Sequence, residues 1–337
     1  MTGAALPLLV AFILAAVTAG LVRRAGILDH PNARSNHAAP TPRGGGLGIV
    51  TGFLAALWLI PIAAPSEGAA LAGVAICTVL AAALGFLDDL FTLGERLKFL
   101  VLTLISLALA GMAGPVTELG IALPWMIGWL GSALFVFTLA NAVNFMDGAD
   151  GLMAAALIPA ALALAWLAPG SIGLGALALA LALAGFSIWN APLLSARGTL
   201  FSGDAGSLGA AVIFAGLALA WASTAPSGSV WLVPLLVLPL LGDVLLTMAA
   251  RVRAGRSPFV AHRAHSYQLL IAMGHSHRRV ALIWGGMSLG CGALALLARA
   301  LPPVAWPLSF GLAVIAFSLL HYRWRRQARS RGLDVYQ

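Results

Sequence analysis

Apolar runs of about 18–22 residues recur along nearly the whole chain, and they leave little freedom of fold. In hydrocarbon every backbone N–H and C=O must find a partner within the protein, so runs of this length read as membrane-spanning helices. Of the 337 residues, 61% are hydrophobic and 9% are charged, more apolar surface than a water-soluble core could hide. The expected fold is an all-α polytopic membrane protein with about eleven transmembrane helices, forming one domain over 1–337. The spans fall near 3–21, 46–64, 69–86, 98–113, 124–140, 152–168, 171–189, 205–222, 230–249, 280–298 and 303–320. Residues 1–21 read as a first membrane helix rather than a signal peptide, because Arg23 and Arg24 follow the apolar run instead of preceding it. Cys77 and Cys291 both lie in apolar runs and form neither a disulfide framework nor a metal site.

An odd number of spans puts the termini on opposite sides, and the cations decide which. With the N-terminus outside and the C-terminus cytoplasmic, eighteen of the nineteen Lys and Arg fall on inner segments and only Arg299 falls outside. The net charge of +8 then belongs to a cytoplasmic membrane surface, and no nucleic-acid partner is expected. The basic tail, 320–337, reads as a topology signal in contact with anionic lipid. The acids cluster on the same side. Asp29, Asp88, Asp89, Glu95, Asp147, Asp150, Asp204 and Asp243 lie at or near inner helix ends, while Glu67 and Glu118 lie on outer loops. The charge rule does not require acids inside, so an active site on the cytoplasmic face is expected.

The densest polar stretch is Asn141-Ala-Val-Asn144-Phe-Met-Asp147-Gly-Ala-Asp150-Gly. Its Asn and Asp residues recur every third position, a spacing that drifts slowly around one side of a helix and would let them converge on one ligand. Gly148 and Gly151 suggest that the helix breaks there and lets backbone approach closely. Asp88 and Asp89 end an apolar run shortly before Arg96 and Lys98; such a pair holds Mg2+ or a basic partner. Asp204, between Gly203 and Ala205-Gly206-Ser207, opens another span. In the first inner loop, Asp29-His-Pro-Asn-Ala-Arg-Ser-Asn-His37 precedes Arg43-Gly-Gly-Gly46, whose amides could approach a phosphate beside Arg43, or form a plain connection. In the last long inner loop, His262 and His265 are spaced to share a helix face, with Arg263 between them favouring an anion over zinc. His275 and His277 have no clear face. Carboxylates that could hold Mg2+, beside bases that could hold phosphate, point to phosphoryl or pyrophosphate chemistry.

Taken together, Asp88-Asp89, the Asn141–Gly151 stretch, Gly203-Asp204-Ala-Gly-Ser and His262-Arg-Ala-His265 resemble the polyprenyl-phosphate N-acetylhexosamine-1-phosphate transferases. That group includes phospho-MurNAc-pentapeptide translocase and the enzymes that begin O-antigen synthesis. The resemblance implies an enzyme of the bacterial inner membrane. It would transfer N-acetylhexosamine-1-phosphate from a UDP-sugar to polyprenyl (undecaprenyl) phosphate, release UMP and start a cell-surface polysaccharide. It implies Mg2+, with Mn2+ as an alternative, held by Asp204. It implies catalytic roles for Asp88, Asp89, Asp147, His262 and His265, and substrate contacts from Lys98, Asn141, Asn144, Asp150, Arg263 and Arg43. A homo-oligomer stays open.

The last loop reads His-Arg-Ala-His-Ser-Tyr-Gln and lacks the triple histidine of the peptidoglycan enzyme. With the first loop, this favours the O-antigen-initiating branch and a sugar without a pentapeptide: GlcNAc or a 6-deoxy relative. Two other classes fit the sequence less well. An intramembrane prenyltransferase would carry two Asp-x3-Asp clusters, whereas here one Asp147-x2-Asp150 occurs. A secondary transporter would place its charges near the midplane rather than at one face.

Overall fold

The computed structural model describes residues 2–26, 28–29, 40–62, 65–193, 197–257, 260 and 262–336. Residues 30–39, with most of the first-loop Asp29–His37 segment, lie outside the described residues. The described helices are α1 (Thr2–Ala25), α2 (Leu47–Leu59), α3 (Pro65–Phe91), α4 (Glu95–Ala113), α5 (Trp125–Met146), α6 (Leu152–Leu167), α7 (Gly170–Asn190), α8 (Asp204–Ala222), α9 (Leu232–Leu236), α10 (Leu238–Arg253), α11 (Ser266–Ala272), α12 (His277–Arg299) and α13 (Ala305–Ser330). A two-residue antiparallel ladder joins β1 (Leu28–Asp29) to β2 (Thr41–Pro42). The protein is an all-α polytopic membrane protein. Among the described residues, eight helices are long and apolar enough to cross a membrane.

The remaining three expected spans take other forms. α2 and α6 are apolar but only 13 and 16 residues long, shorter than the roughly 20 residues a bilayer core asks of an upright helix. The expected 230–249 span is broken: a 3-10 turn (Ser229–Trp231) and α9 meet α10 at a bend of 77°. The break falls just before Pro239, which stands in the first turn of α10 and has no N–H to continue a helix behind it.

α8 is the axis of the bundle, with every residue from Ala205 to Ala222 buried. Its sequence makes that burial workable, because Gly and Ala let neighbouring backbones come close without a side chain between them. A Cβ at Gly46, ahead of α2, would collide with Gly206 Cα, and a Cβ at Gly85 of α3 would collide with the Asp204 backbone. Farther along, Gly209 abuts Val50, and Gly216 abuts Val74 and Leu109. The same device joins α1 to α2, where Gly48 and Gly52 face Ala15, Ala19 and Ala11.

These contacts set the depth of the site, since they put the end of α3 and the starts of α2 and α8 at one level. The ends of α2, α6 and the start of α5, which lie away from that level, carry the exposed Trp58, Trp166 and Trp125. Tryptophan at the mouth of a bundle is the pattern of a membrane–water interface.

Candidate active site

Asp88 and Asp89 stand in the last turn of α3 and point to different partners. Asp88 Oδ1 accepts the Leu93 N–H at 2.8 Å, and its Oδ2 lies 2.5 Å from Lys98 Nζ. Asp89 Oδ2 accepts the Asp204 N–H at 3.1 Å, so it holds the first turn of α8 to the last turn of α3. Asp204 Oδ2 lies 3.3 Å from the same Lys98 ammonium. One lysine on α4 therefore serves carboxylates from α3 and α8, at the place where Gly85 lets those helices touch.

Arg43 is not directed at an open phosphate cradle. Its guanidinium donates to the Asp89 backbone carbonyl and lies 3.8 Å from Asp89 Oδ1. Of the two readings of the triple glycine, two of its three amides follow the plain connection. Gly45 N–H donates to Phe201 O and Gly46 N–H to Ser202 O, both at 2.9 Å, so this turn packs α2 onto α8.

The Asn141–Gly151 stretch does not stay on one helix. α5 ends at Met146, and α6 begins only after Gly151, whose φ of 75° suits glycine. The predicted break is therefore present, and it separates the four polar groups. Asn141 and Asn144 remain on α5 beside Asp204, and Asn144 Nδ2 donates to Ser207 Oγ at 2.9 Å. Asp147, past the helix end, accepts from the Ser202 hydroxyl. Burial, with the anionic Asp204, Asp89 and Asp150 nearby, pushes the Asp147 carboxyl up to about 8 against the opposing Ser202 hydrogen bond. It therefore holds its proton through much of the neutral range.

Asp150 is 4% exposed, and its Oδ2 accepts the Gly198 N–H at 3.1 Å. His277 Nδ1 lies 3.1 Å from both the Asp150 backbone N and Asp150 Oδ2. That nitrogen serves one of them at a time, accepting from the amide when bare or donating to the carboxylate when protonated.

His262 and His265 do come together, with ring centroids 4.8 Å apart, but not on a helix. They lie in the extended segment before α11, and His265 is its N-cap with φ −65° and ψ 145°. Burial, reinforced by Arg251 and Arg325, lowers His262 to about 4. Burial, then His262, His321, Arg325 and Arg251, lowers His265 to about 3. Both imidazoles are thus neutral at pH 7, and they offer a phosphate hydrogen bonds rather than full charges. Arg263, between them, is exposed and does not line the cleft described next.

A cleft of about 420 Å3 joins these groups. Its polar lining comes from Glu95, Lys98, Thr138, Asn141, Asn144 and Asp204 and from His262, His265 and Gln268. The rest of the lining is mostly apolar, with Leu84, Phe99, Leu102, Phe137, Val244, Leu245, Met248 and Val260. Asp88, Asp89, Asp147, Asp150, Arg43 and Arg263 lie outside that lining. Among the described residues, no three His, Cys, Asp or Glu side chains close around a metal position. Mg2+ does not ask for such a cage, since it commonly takes one or two carboxylates and completes its shell with water and substrate phosphate. The hard oxygens of Asp88 and Asp204, already within 3.3 Å of a shared ammonium, suit that ion.

A family model described as glycosyl transferase family 4 matches residues 71–222, from α3 to the end of α8. The decaprenyl-phosphate N-acetylglucosaminephosphotransferase of Mycobacterium tuberculosis is 30% identical over 309 residues, covering 79% of this chain and 75% of the relative. The chain belongs to glycosyl transferase family 4. The undecaprenyl-phosphate alpha-N-acetylglucosaminyl 1-phosphate transferase of Yersinia pestis is 28% identical over 285 residues, covering 81% of this chain and 76% of the relative. The Escherichia coli K12 protein of the same name is 25% identical over 272 residues, covering 77% and 73%. This member of glycosyl transferase family 4 is a membrane-embedded transferase. The matched range contains Asp88, Asp89, Asp147, Asp150 and Asp204, while Arg43 and the histidine segment lie on either side of it.

Several residues of this glycosyl transferase site escaped the sequence reading. Tyr267 is buried, donates to Phe145 O at 3.1 Å and lies where a Cβ at Gly148 would collide with its hydroxyl. Asn190 accepts the Gly151 N–H at 3.0 Å and donates to Leu200 O at 3.0 Å. Ser202 and His277 hold the two aspartates after α5. Tyr267 stands in the quoted His-Arg-Ala-His-Ser-Tyr-Gln run and His277 was named without a face, but nothing in the sequence pointed to their partners, and Asn190 stands in no run that marks it.

Proposed function

We propose that this protein transfers N-acetylhexosamine-1-phosphate from a UDP-sugar to polyprenyl phosphate, releasing UMP and leaving a polyprenyl diphospho-sugar in the membrane. N-acetylglucosamine is the first sugar to test, because the relatives' names carry it. The observation that supports this most is the cleft's composition. One shared cation, three amide side chains and two imidazoles line the same cleft as a set of apolar side chains from several helices. Two phosphates fit the polar groups, and an isoprenoid chain fits the apolar ones.

An oxygen of the lipid phosphate attacks the sugar-bearing phosphorus of the UDP-sugar. A P–O bond forms to the lipid, and the bond from that phosphorus to the bridging oxygen breaks, leaving with UMP. A phosphate monoester has its second pKa near ~6 and is mostly dianionic at neutral pH, so the acceptor needs no strong base. Asp88 fits a positioning role, since both its oxygens already accept hydrogen bonds. Lys98 offsets anionic charge at the reacting end, and Asn141 and Asn144 orient the donor. His262 and His265 bind a donor phosphate as neutral hydrogen-bonding groups. Asp204, with Asp88, would hold Mg2+, which supplies charge neutralisation at the diphosphate. Asp150 supports the donor side by fixing the 198 loop and α12 rather than by touching the nucleotide. The cleft end faces the cytoplasm of a bacterial inner membrane, with the N-terminus outside, and the product begins a surface polysaccharide such as O-antigen.

Purified protein should release UMP from UDP-GlcNAc only when polyprenyl phosphate is present, and UDP-MurNAc-pentapeptide should not replace that donor. Labelled UMP should exchange into UDP-sugar only after lipid is added back. Rapid exchange in delipidated protein that disappears in Asp88→Asn would replace direct attack by a covalent phospho-enzyme.

A further inference from the structure

Two arginines outside the cleft are buried: Arg251, near the end of α10, is 4% exposed and Arg325, near the end of α13, is 6% exposed. A guanidinium out of water is costly unless hydrogen bonds replace its hydration. Here backbone carbonyls do so. Arg325 Nη1 donates to Ala264 O at 2.9 Å, and its Nη2 donates to Val335 O at 2.5 Å. Arg251 donates to Ser257 O at 2.8 Å through Nη2 and to Tyr336 O through Nη1. The Tyr336 ring lies 5.3 Å from Arg325 Cζ and 4.9 Å from Arg329 Cζ. Val335 is 2% exposed and packs with Leu269 of α11 and Ala328 of α13. The basic end of the chain is therefore not only a lipid-facing tail. Its last described residues are fastened beside the histidine segment.

The segment is gripped on both sides of His265. Ala264 O is held by Arg325. The Ser266 N–H is held by both oxygens of Asp243, at 3.0 and 3.1 Å, and that carboxylate is fully buried. His265 Nδ1 is 3.6 Å from Asp243, too far for a hydrogen bond, and has no partner of its own. The imidazole that lines the cleft is thus placed by its neighbours' backbone and by stacking on Phe145 and Tyr267, each at 6.2 Å between centroids. We propose that Arg325, locked by the C-terminal Val335–Tyr336, is a positioning residue that sets His262 and His265 against the donor phosphate. This rests on the donor reading above. It gives weight to the planar fork, because one guanidinium holds two carbonyls from different elements through separate nitrogens, whereas a lysine ammonium offers a single nitrogen without that fixed geometry.

The full-length protein, purified in detergent, tests this with Arg325→Lys and, separately, Tyr336→Ala. Loss of one charge-assisted hydrogen bond is worth roughly tenfold at the low end of its range, and a lysine that keeps part of the contact stays near that end. In Arg325→Lys, amide hydrogen exchange at 264–266 should rise by about that factor, and the KM for UDP-GlcNAc should rise about five- to tenfold. Its kcat should stay within about twofold, and the KM for polyprenyl phosphate should not move. Tyr336→Ala, which keeps the guanidinium, should shift both readouts in the same direction by less. If Arg325→Lys does not fold, Tyr336→Ala decides alone. Unchanged exchange at 264–266 overturns the proposal. So does faster exchange with an unchanged donor KM, since the segment would then move without consequence at the site. Failure of the donor reading is seen separately, as a parent protein that binds no UMP.

Discussion

Replacing Lys98 by methionine removes the one cation shared by Asp88 and Asp204 while keeping an unbranched side chain of similar length. The ammonium lies 2.5 Å from Asp88 Oδ2 and 3.3 Å from Asp204 Oδ2. At an effective dielectric of about 20, a pair near 4 Å is worth on the order of 4 kcal/mol before desolvation is subtracted. Lys98 is 29% exposed, so solvent screens part of that. The net loss per charge-assisted hydrogen bond is about 1.5–3 kcal/mol, or roughly 10- to 150-fold. Lys98→Met should therefore lower kcat/KM for UMP release by about that factor. The Mg2+ dependence should move the other way. Two carboxylates freed of an internal cation attract an external one more strongly, so half-saturating Mg2+ should fall or stay level. The assay is UMP release from UDP-GlcNAc with polyprenyl phosphate, titrated with Mg2+ in parent and variant. Near-parent turnover would remove Lys98 from the reacting end. A large rise in half-saturating Mg2+ would mean that the lysine does not stand where a metal binds.

Three further outcomes follow from the geometry. Gly46→Ala should cost about 3 kcal/mol or more, because its Cβ meets Gly206 backbone rather than a side chain that can yield; unchanged thermal unfolding in detergent would refute the close crossing. His265 is held neutral in the fold, so the unfolded chain binds its proton first as pH falls. Its stabilising effect is complete above the unfolded pKa of about 6.5 and is lost toward the folded value of about 3, at no more than about 1.4 kcal/mol per pH unit. Melting followed from pH 7 to 4 should show that loss, and His265→Gln should flatten it; an equal slope in the variant refutes it. Single cysteines at the exposed Ser227 and Arg197 should differ in labelling by an impermeant maleimide on intact cells, with position 197 protected. Labelling at 197 instead would invert the topology.

The apolar runs and the acids at their ends determined much of this protein without any tertiary structure. Eleven apolar segments all became helix, and Asp88, Asp89, Lys98, Asn141, Asn144 and Asp204 were marked by standing among so few charges. Helix formation in an apolar run is local, driven by backbone hydrogen bonds that hydrocarbon will not replace, so it is legible residue by residue. What each polar group faces is not local. The three-residue spacing from Asn141 to Asp150 suggested one shared ligand, yet the helix stops at Met146 and sends Asp147 to Ser202 and Asp150 to Gly198 and His277. The glycines ahead of α2 suggested a phosphate cradle, yet Gly45 and Gly46 give their amides to the carbonyls before α8. Arg325 read as one more cytoplasmic charge, and only the packing of α13 against the histidine segment turned it inward onto Ala264 and Val335. A spacing fixes direction only while one regular element continues; past its end, the partner is chosen by whichever distant backbone packs closest.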